Sequence, residues 1–177
     1  MANIKEDLRT LTTMLHQANW QKKMAREGHL DDYYNMHYGT ALADAFIAKY
    51  RSSYDTIAKA IIEVRRDPGR RPRASFTELR KICKGAGGKE IMGEDLARLV
   101  QLCDWYDPML KARDGIIHDN LTSSGFMHPR IFFQIYNYDK DNGRVKLIDI
   151  PEVMVNENLV DFELYAAVHI GYTSSCR

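Results

Sequence analysis

The chain has 177 residues, 45% of them apolar and 28% charged, enough for one folded domain with a sizeable core and too apolar for a disordered chain. Its 25 Lys and Arg stand against 24 Asp and Glu, which excludes a global polycation or polyanion, so any surface for a charged partner must be local. No apolar run approaches the ~20 residues that span a bilayer, and the first residues lack a signal-type apolar run, so no membrane partner is expected.

In chain order, Ile4, Leu8, Leu11, Leu15 and Ala18 recur at three-and-four spacing without a proline, which predicts a first helix over 4–26. Gly28, Asp31 and Asp32 punctuate. A longer helix over about 31–65 follows, its apolar face marked by Leu42, Phe46, Tyr50, Tyr54, Ile57, Ala58, Ile61 and Ile62. Pro68, Gly69 and Pro72 forbid its continuation. Ser75-Phe76-Thr77-Glu78 has the capping-box pattern and opens a short helix through Leu79 and Ile82 to Gly85. GAGGKE then reads as a glycine-rich connection, and helix returns at about 93 with Leu96, Leu99, Val100, Leu102 and Cys103. Asp107-Pro108 means either a kink or a fresh helix with Asp107 as N-cap; the favoured reading is one kinked unit ending near His118.

The pattern then changes. Ile131 to Tyr138 is rich in aromatic and branched residues, Asp139 to Gly143 is a turn containing Asn142-Gly143, and Val145 to Ile150 is a second such run, which together predict a β-hairpin. Leu159, Phe162, Leu164, Ala166, Ala167 and Ile170 then predict a last helix over 156–170. The expected fold class is mainly α: an antiparallel bundle of four to five helices with a β-hairpin, at about 130–150, inserted before the last helix.

Several segments invite chemistry. GAGGKE fails as a phosphate loop, because Glu90 follows Lys89 where Ser or Thr is needed and the preceding segment reads as helix. Cys83, Cys103 and Cys176, odd in number and without C-x-x-C, argue against disulfides and structural zinc, so reduced thiols in a cytoplasmic protein are expected. His16, His29, His37, His118, His128 and His169 form no H-x-x-x-H pair, and no metal or other cofactor is expected. Arg65, Arg66, Arg70, Arg71 and Arg73 fall in a proline-broken loop and could grip phosphates, or equally serve solubility and helix capping. Phe132, Phe133, Tyr136 and Tyr138 of the hairpin fit packing against the bundle better than base stacking or a dimer contact.

The stretch RDGIIHDN, residues 113–120, carries more. Leu99, Leu102, Tyr106, Leu110, Arg113 and Ile117 step by three or four, placing Arg113 in a core-facing phase where a charge must be paired or line a cleft. Asp114 and His118 are four apart and share a helix face, so the carboxylate is set to orient the imidazole. Gly115, Asp119 and Asn120 place that imidazole at a helix end, reachable by a ligand and near carbonyls that favour its protonation. The bland account is an Arg–Asp pair with a histidine C-cap. Arg9 and His16 are a second Arg-to-His pair of similar spacing, and chance alone supplies roughly one or two such pairs in a chain of this composition.

Arg113-Asp114-x-x-x-His118 resembles the R-φ-x-x-x-H signature of the HEPN superfamily, in which φ is usually Asn, Asp or His. The layout is similar too: long antiparallel helices, the motif late in a late helix, and one further helix after it. The Arg9 pair lacks the polar second residue. The resemblance implies a single HEPN-like helical domain over 1–177 that pairs as a homodimer and cleaves RNA without metal by 2′-hydroxyl attack, in the setting of a toxin with a cognate antitoxin or of anti-phage defence. Arg113 and His118 would be catalytic and Asp114 an orienter, with Asn120 and the loop arginines touching RNA. Some members of the superfamily serve only as binding or dimerisation modules, which is the alternative: a non-catalytic helical adaptor. The β-hairpin departs from the minimal bundle.

Overall fold

The computed structural model describes residues 2–65, 75–85, 87–119, 123–127, 130–134, 136–139, 143–146, 153–155 and 159–175. Helix α1 (Ala2–Arg26) and helix α2 (Asp32–Arg65) form the frame. Two links fix them antiparallel: Lys49 pairs with Asp7, and Gln21 Nε2 donates to the Asn35 carbonyl at 2.7 Å and to Asn35 Oδ1 at 2.6 Å. The turn between them uses Gly28 at a positive φ of 73°, and Asp31 accepts from the Tyr33 amide at 2.8 Å to cap α2. The apolar face read from the α2 sequence is the one it buries: Phe46, Tyr50, Tyr54, Ala58 and Ile62 are sealed, with Leu42, Ile57 and Ile61 at the margin.

Helix α3 (Phe76–Lys84) starts where the capping box places it, with the Ser75 hydroxyl accepting from the Glu78 amide at 3.2 Å. Arg80 of α3 is buried beside Tyr106 and pairs with Asp107, with Asp104 at 3.6 Å. The glycine-rich connection contains a five-residue turn of helix, α4 (Gly88–Met92), followed by α5 (Glu94–Gln101). The expected kinked unit over 93–118 is instead two helices. The chain turns at 102–105 and α6 (Tyr106–Asp119) starts afresh. Pro108 then falls in a first turn, where its missing N–H would have had no intrahelical partner. The turn also divides the apolar stripe: Leu99 and Leu102 are exposed, whereas Tyr106 and Met109 are buried.

Strands follow. β1 (Ser123–Met127) pairs antiparallel with β2 (Arg130–Gln134). β3 (Tyr136–Asp139) pairs with β4 (Gly143–Lys146) in register Asp139↔Gly143, the hairpin expected around residue 140. The long first strand expected over 131–138 is thus divided between two sheets, and residues 147–150 lie outside the described residues. β5 (Val160–Asp161) joins the far side of β2, giving the order β1-β2-β5. The last helix, α7 (Phe162–Ser175), therefore begins later than the expected 156. Asp161 sets that start, its side chain accepting from the Leu164 amide at 3.1 Å as an N-cap does. Ile131 and Phe132 of β2 are buried against the helices. The backbone of α2 admits β2 at Gly39, where a Cβ would stand 3.0 Å from the Ile131 side chain.

The core condenses on the middle of α2. Tyr50 and Tyr54 meet Trp105, Tyr106, Phe76 and His169 at ring separations of 4.9–6.4 Å, and Phe46 meets Phe162 edge-on at 5.6 Å. The Tyr50 hydroxyl donates to the His169 carbonyl at 2.6 Å and ties α7 to α2. Among the described residues no helix is long and apolar enough to cross a membrane.

Candidate functional site at the end of α6

The motif occupies the last two turns of α6. Arg113 lies seven residues after buried Tyr106 and so shares its inward phase, as the sequence suggested for this part of the stripe. Its side chain is nevertheless 25% exposed, and that of Asp114 47%. Arg113 Nη1 donates to Asp114 Oδ1 at 2.8 Å. The guanidinium is therefore half-sheltered, charge-paired and still open to water on one side, as an anion-binding group must be.

The described contact of the Asp114 carboxylate is Arg113, one residue away. The expected hold of Asp114 on the His118 imidazole falls on a side chain outside the described residues. Helix α6 stays helical through Gly115 and His118 to Asp119. On a continuous helix those two residues leave the axis about 140° apart. One chain therefore does not focus both on a single phosphate by distortion of α6.

The other candidates separate. Arg65 is exposed at the end of α2, while Arg66, Arg70, Arg71, Arg73 and Asn120 lie outside the described residues. Cys83 and Cys103 are buried, and burial pushes the Cys83 thiol up, away from the reactive thiolate; Cys176 lies outside the described residues. His16, His29 and His37 are exposed on the α1–α2 side, whereas His169 is buried among rings, where desolvation lowers its pKa to about 3. Among the described residues no three His, Cys, Asp or Glu side chains gather as a metal-ligand set.

One feature escaped the sequence reading. Trp20 of α1 and Tyr33, Tyr34 and Tyr38 of α2 are 53–61% exposed and cluster at one end of the helix pair. The signal available was YYNMHY, an uncharged aromatic run before the apolar face of α2 begins. No family model, curated protein or solved structure matches the chain.

Proposed function

We propose that the protein is a homodimeric, metal-independent endoribonuclease of HEPN type, with Arg113 and His118 as its catalytic residues. The observation that carries this reading is the half-open Arg113 guanidinium at the end of α6, five residues before a histidine in the last turn of the same helix. In the reaction an imidazole takes the proton of a ribose 2′-hydroxyl. The 2′-oxygen bonds to the neighbouring phosphorus while the bond from phosphorus to the 5′-oxygen breaks. A second imidazole protonates that leaving oxygen, and Arg113 stabilises the added negative charge on the phosphorane. The straightness of α6 is the reason to invoke two chains: a two-fold axis supplies a second Arg113 and a second His118 across one cleft. Asp114, bonded to Arg113, holds the guanidinium in place and is a positioning residue. RNA is the substrate, and a toxin paired with an antitoxin or an anti-phage effector acting in the cytoplasm is the setting in which such an activity would be useful.

The test is cleavage of single-stranded RNA in the presence of a chelator by wild type, Arg113→Ala and His118→Ala. Cleavage by wild type with loss of at least about a hundredfold in each variant is expected. Equal rates in all three proteins overturn the proposal. The Arg113–Asp114 pair also supports a second reading, a non-catalytic helical adaptor in which the pair is structural. That reading expects Arg113→Ala to lower the melting temperature by several degrees with no cleavage to lose.

A further inference from the structure

The exposed aromatic cluster is built, not scattered. Tyr34 and Tyr38 lie one turn apart with rings 6.4 Å apart and 28° from parallel. Tyr33 meets His37 at 4.3 Å and Tyr34 at 5.6 Å. Beside Tyr38 a groove of about 500 Å³ runs between the two helices, walled by Trp20, floored by Ala41, Leu42 and Ala45, and edged by the amides of Gln17 and Gln21. The bond of Gln21 to Asn35 fixes the helix spacing beneath it. Water-exposed ring faces forgo the stabilisation that burial gives, so a cluster of them calls for an occupant.

Composition says which occupant. Among the residues whose burial is described, every exposed large aromatic gathers here, while the exposed aliphatics, Val64, Leu99 and Leu102 among them, stand elsewhere. A face made of π surfaces with polar edges suits flat rings better than an aliphatic protein surface. Charge points the same way. From Leu8 to Arg26, α1 carries Arg9, Lys22, Lys23 and Arg26 and no acid, and from Tyr33 to Ala43, α2 carries no Asp, Glu, Lys or Arg. Lys23 is exposed one turn beyond Trp20, with Glu27 loosely beside it at 3.8 Å, while Lys22 is held by Glu163 at 2.8 Å. Acids flank the strip: Glu27, Asp31 and Asp32 lie past the end of α1 with Asp31 committed to capping α2, Glu163 is committed to Lys22, and Asp44 follows the uncharged stretch of α2. A neutral aromatic strip beside a stretch of helix whose own charges are all positive suits a single nucleic-acid strand, bases on the rings and phosphates over the cations. Two copies meeting through this face would instead bring two cationic strips together.

We propose that Trp20, Tyr34 and Tyr38 form a stacking platform for unpaired bases, and that it holds single-stranded RNA for cleavage at the α6 motif. This rests on the reading of the protein as a ribonuclease. The path of the chain is compatible with it: Tyr106 at the start of α6 meets Tyr54, and Ile131 after α6 meets Gly39, so the chain returns along α2 towards the aromatic end.

The test uses a short fluorescein-labelled 2′-O-methyl oligouridylate, which lacks the attacking hydroxyl. Binding is read by anisotropy, with quenching of tryptophan emission as a second signal. Trp20→Ala, Tyr34→Ala and Tyr38→Ala should each weaken binding by roughly 5- to 100-fold, whereas Tyr34→Phe and Tyr38→Phe, which keep the ring, should restore most of it. Tyr34→Leu, apolar without a ring, should not. Unchanged affinity in the alanine variants overturns the platform, as does conversion of a wild-type dimer to monomers by the same variants, which would make the face a contact between copies. The two proposals fail separately. Ring-independent binding alongside Arg113-dependent cleavage removes the platform and keeps the nuclease; ring-dependent binding without cleavage removes the nuclease and keeps a single-strand-binding face.

Discussion

The two halves of α2 carry the same side chains in opposite surroundings. Tyr33, Tyr34 and Tyr38 stand in water, and about three to six turns on Tyr50 and Tyr54 are sealed among rings from α3, α6 and α7. Tyrosine has an apolar body and a polar tip, so it suits either place, and what decides is whether other elements cover that part of the helix. Trp105, Tyr106, Phe76 and α7 all converge on the second half of the helix. One half is thereby sealed into the core, and the other is left exposed.

The sharpest way to break this contrast is to truncate one ring from each half. Tyr54→Ala should cost about 3–5 kcal/mol in denaturant unfolding, because its ring touches Tyr50, Phe76, Trp105 and Tyr106 and the space left cannot fill. Tyr34→Ala should stay within about 0.5 kcal/mol of wild type. Similar losses at both positions would mean that the exposed rings are covered in the native assembly.

Acid sharpens the contrast next. His169, held near a pKa of about 3 within the buried aromatic cluster, titrates at about 6.5 once unfolded. Between those values the unfolded chain binds the extra proton, so stability falls as pH drops below about 6.5 and the loss is complete near 3. Relative to His169→Asn, wild type should lose about 2 kcal/mol between pH 7 and pH 5. An identical slope in the two proteins would show that the ring is already hydrated or protonated in the fold. A smaller loss is expected at α3, at its N-cap. Ser75→Ala removes the hydroxyl that accepts from the Glu78 amide and should cost about 1 kcal/mol, read from the same unfolding curves.

These elements show where sequence suffices. The α3 start was legible because a cap is a local device, complete within Ser75 to Glu78. The buried face of α2 was legible because its spacing is long and regular. The division of 93–118 was not, since Leu99 and Leu102 continue the apolar step of Tyr106 and Leu110 although the backbone turns between them. β1 is Ser-Ser-Gly-Phe-Met, poor in strand formers, and exists because β2 pairs with it. β5 has two residues, too few for any periodicity, and was absorbed into the helix that Asp161 actually starts after it. At the site, the inward phase of Arg113 was readable from its seven-residue distance to Tyr106. The Arg113–Asp114 contact was there as the bland account only, because neighbours on a helix point about 100° apart and meet only through the reach of the guanidinium. The exposed aromatic cluster was hidden for the reason the comparison gives: nothing in a tyrosine's letter says whether something will cover it.

Gly39 has a consequence for how such a chain can change over generations. A glycine inside a helix forgoes about 1 kcal/mol of helix propensity, and at this position the vacancy admits Ile131 from a strand more than ninety residues away. Descendants of this sequence should therefore alter the two positions together: a methyl gained at 39 calls for a smaller side chain at 131, and a bulkier residue at 131 keeps 39 a glycine. Substitution histories at two sites that look unrelated on paper are thereby tied, and paired changes there would mark which distant chains share this docking of strand on helix.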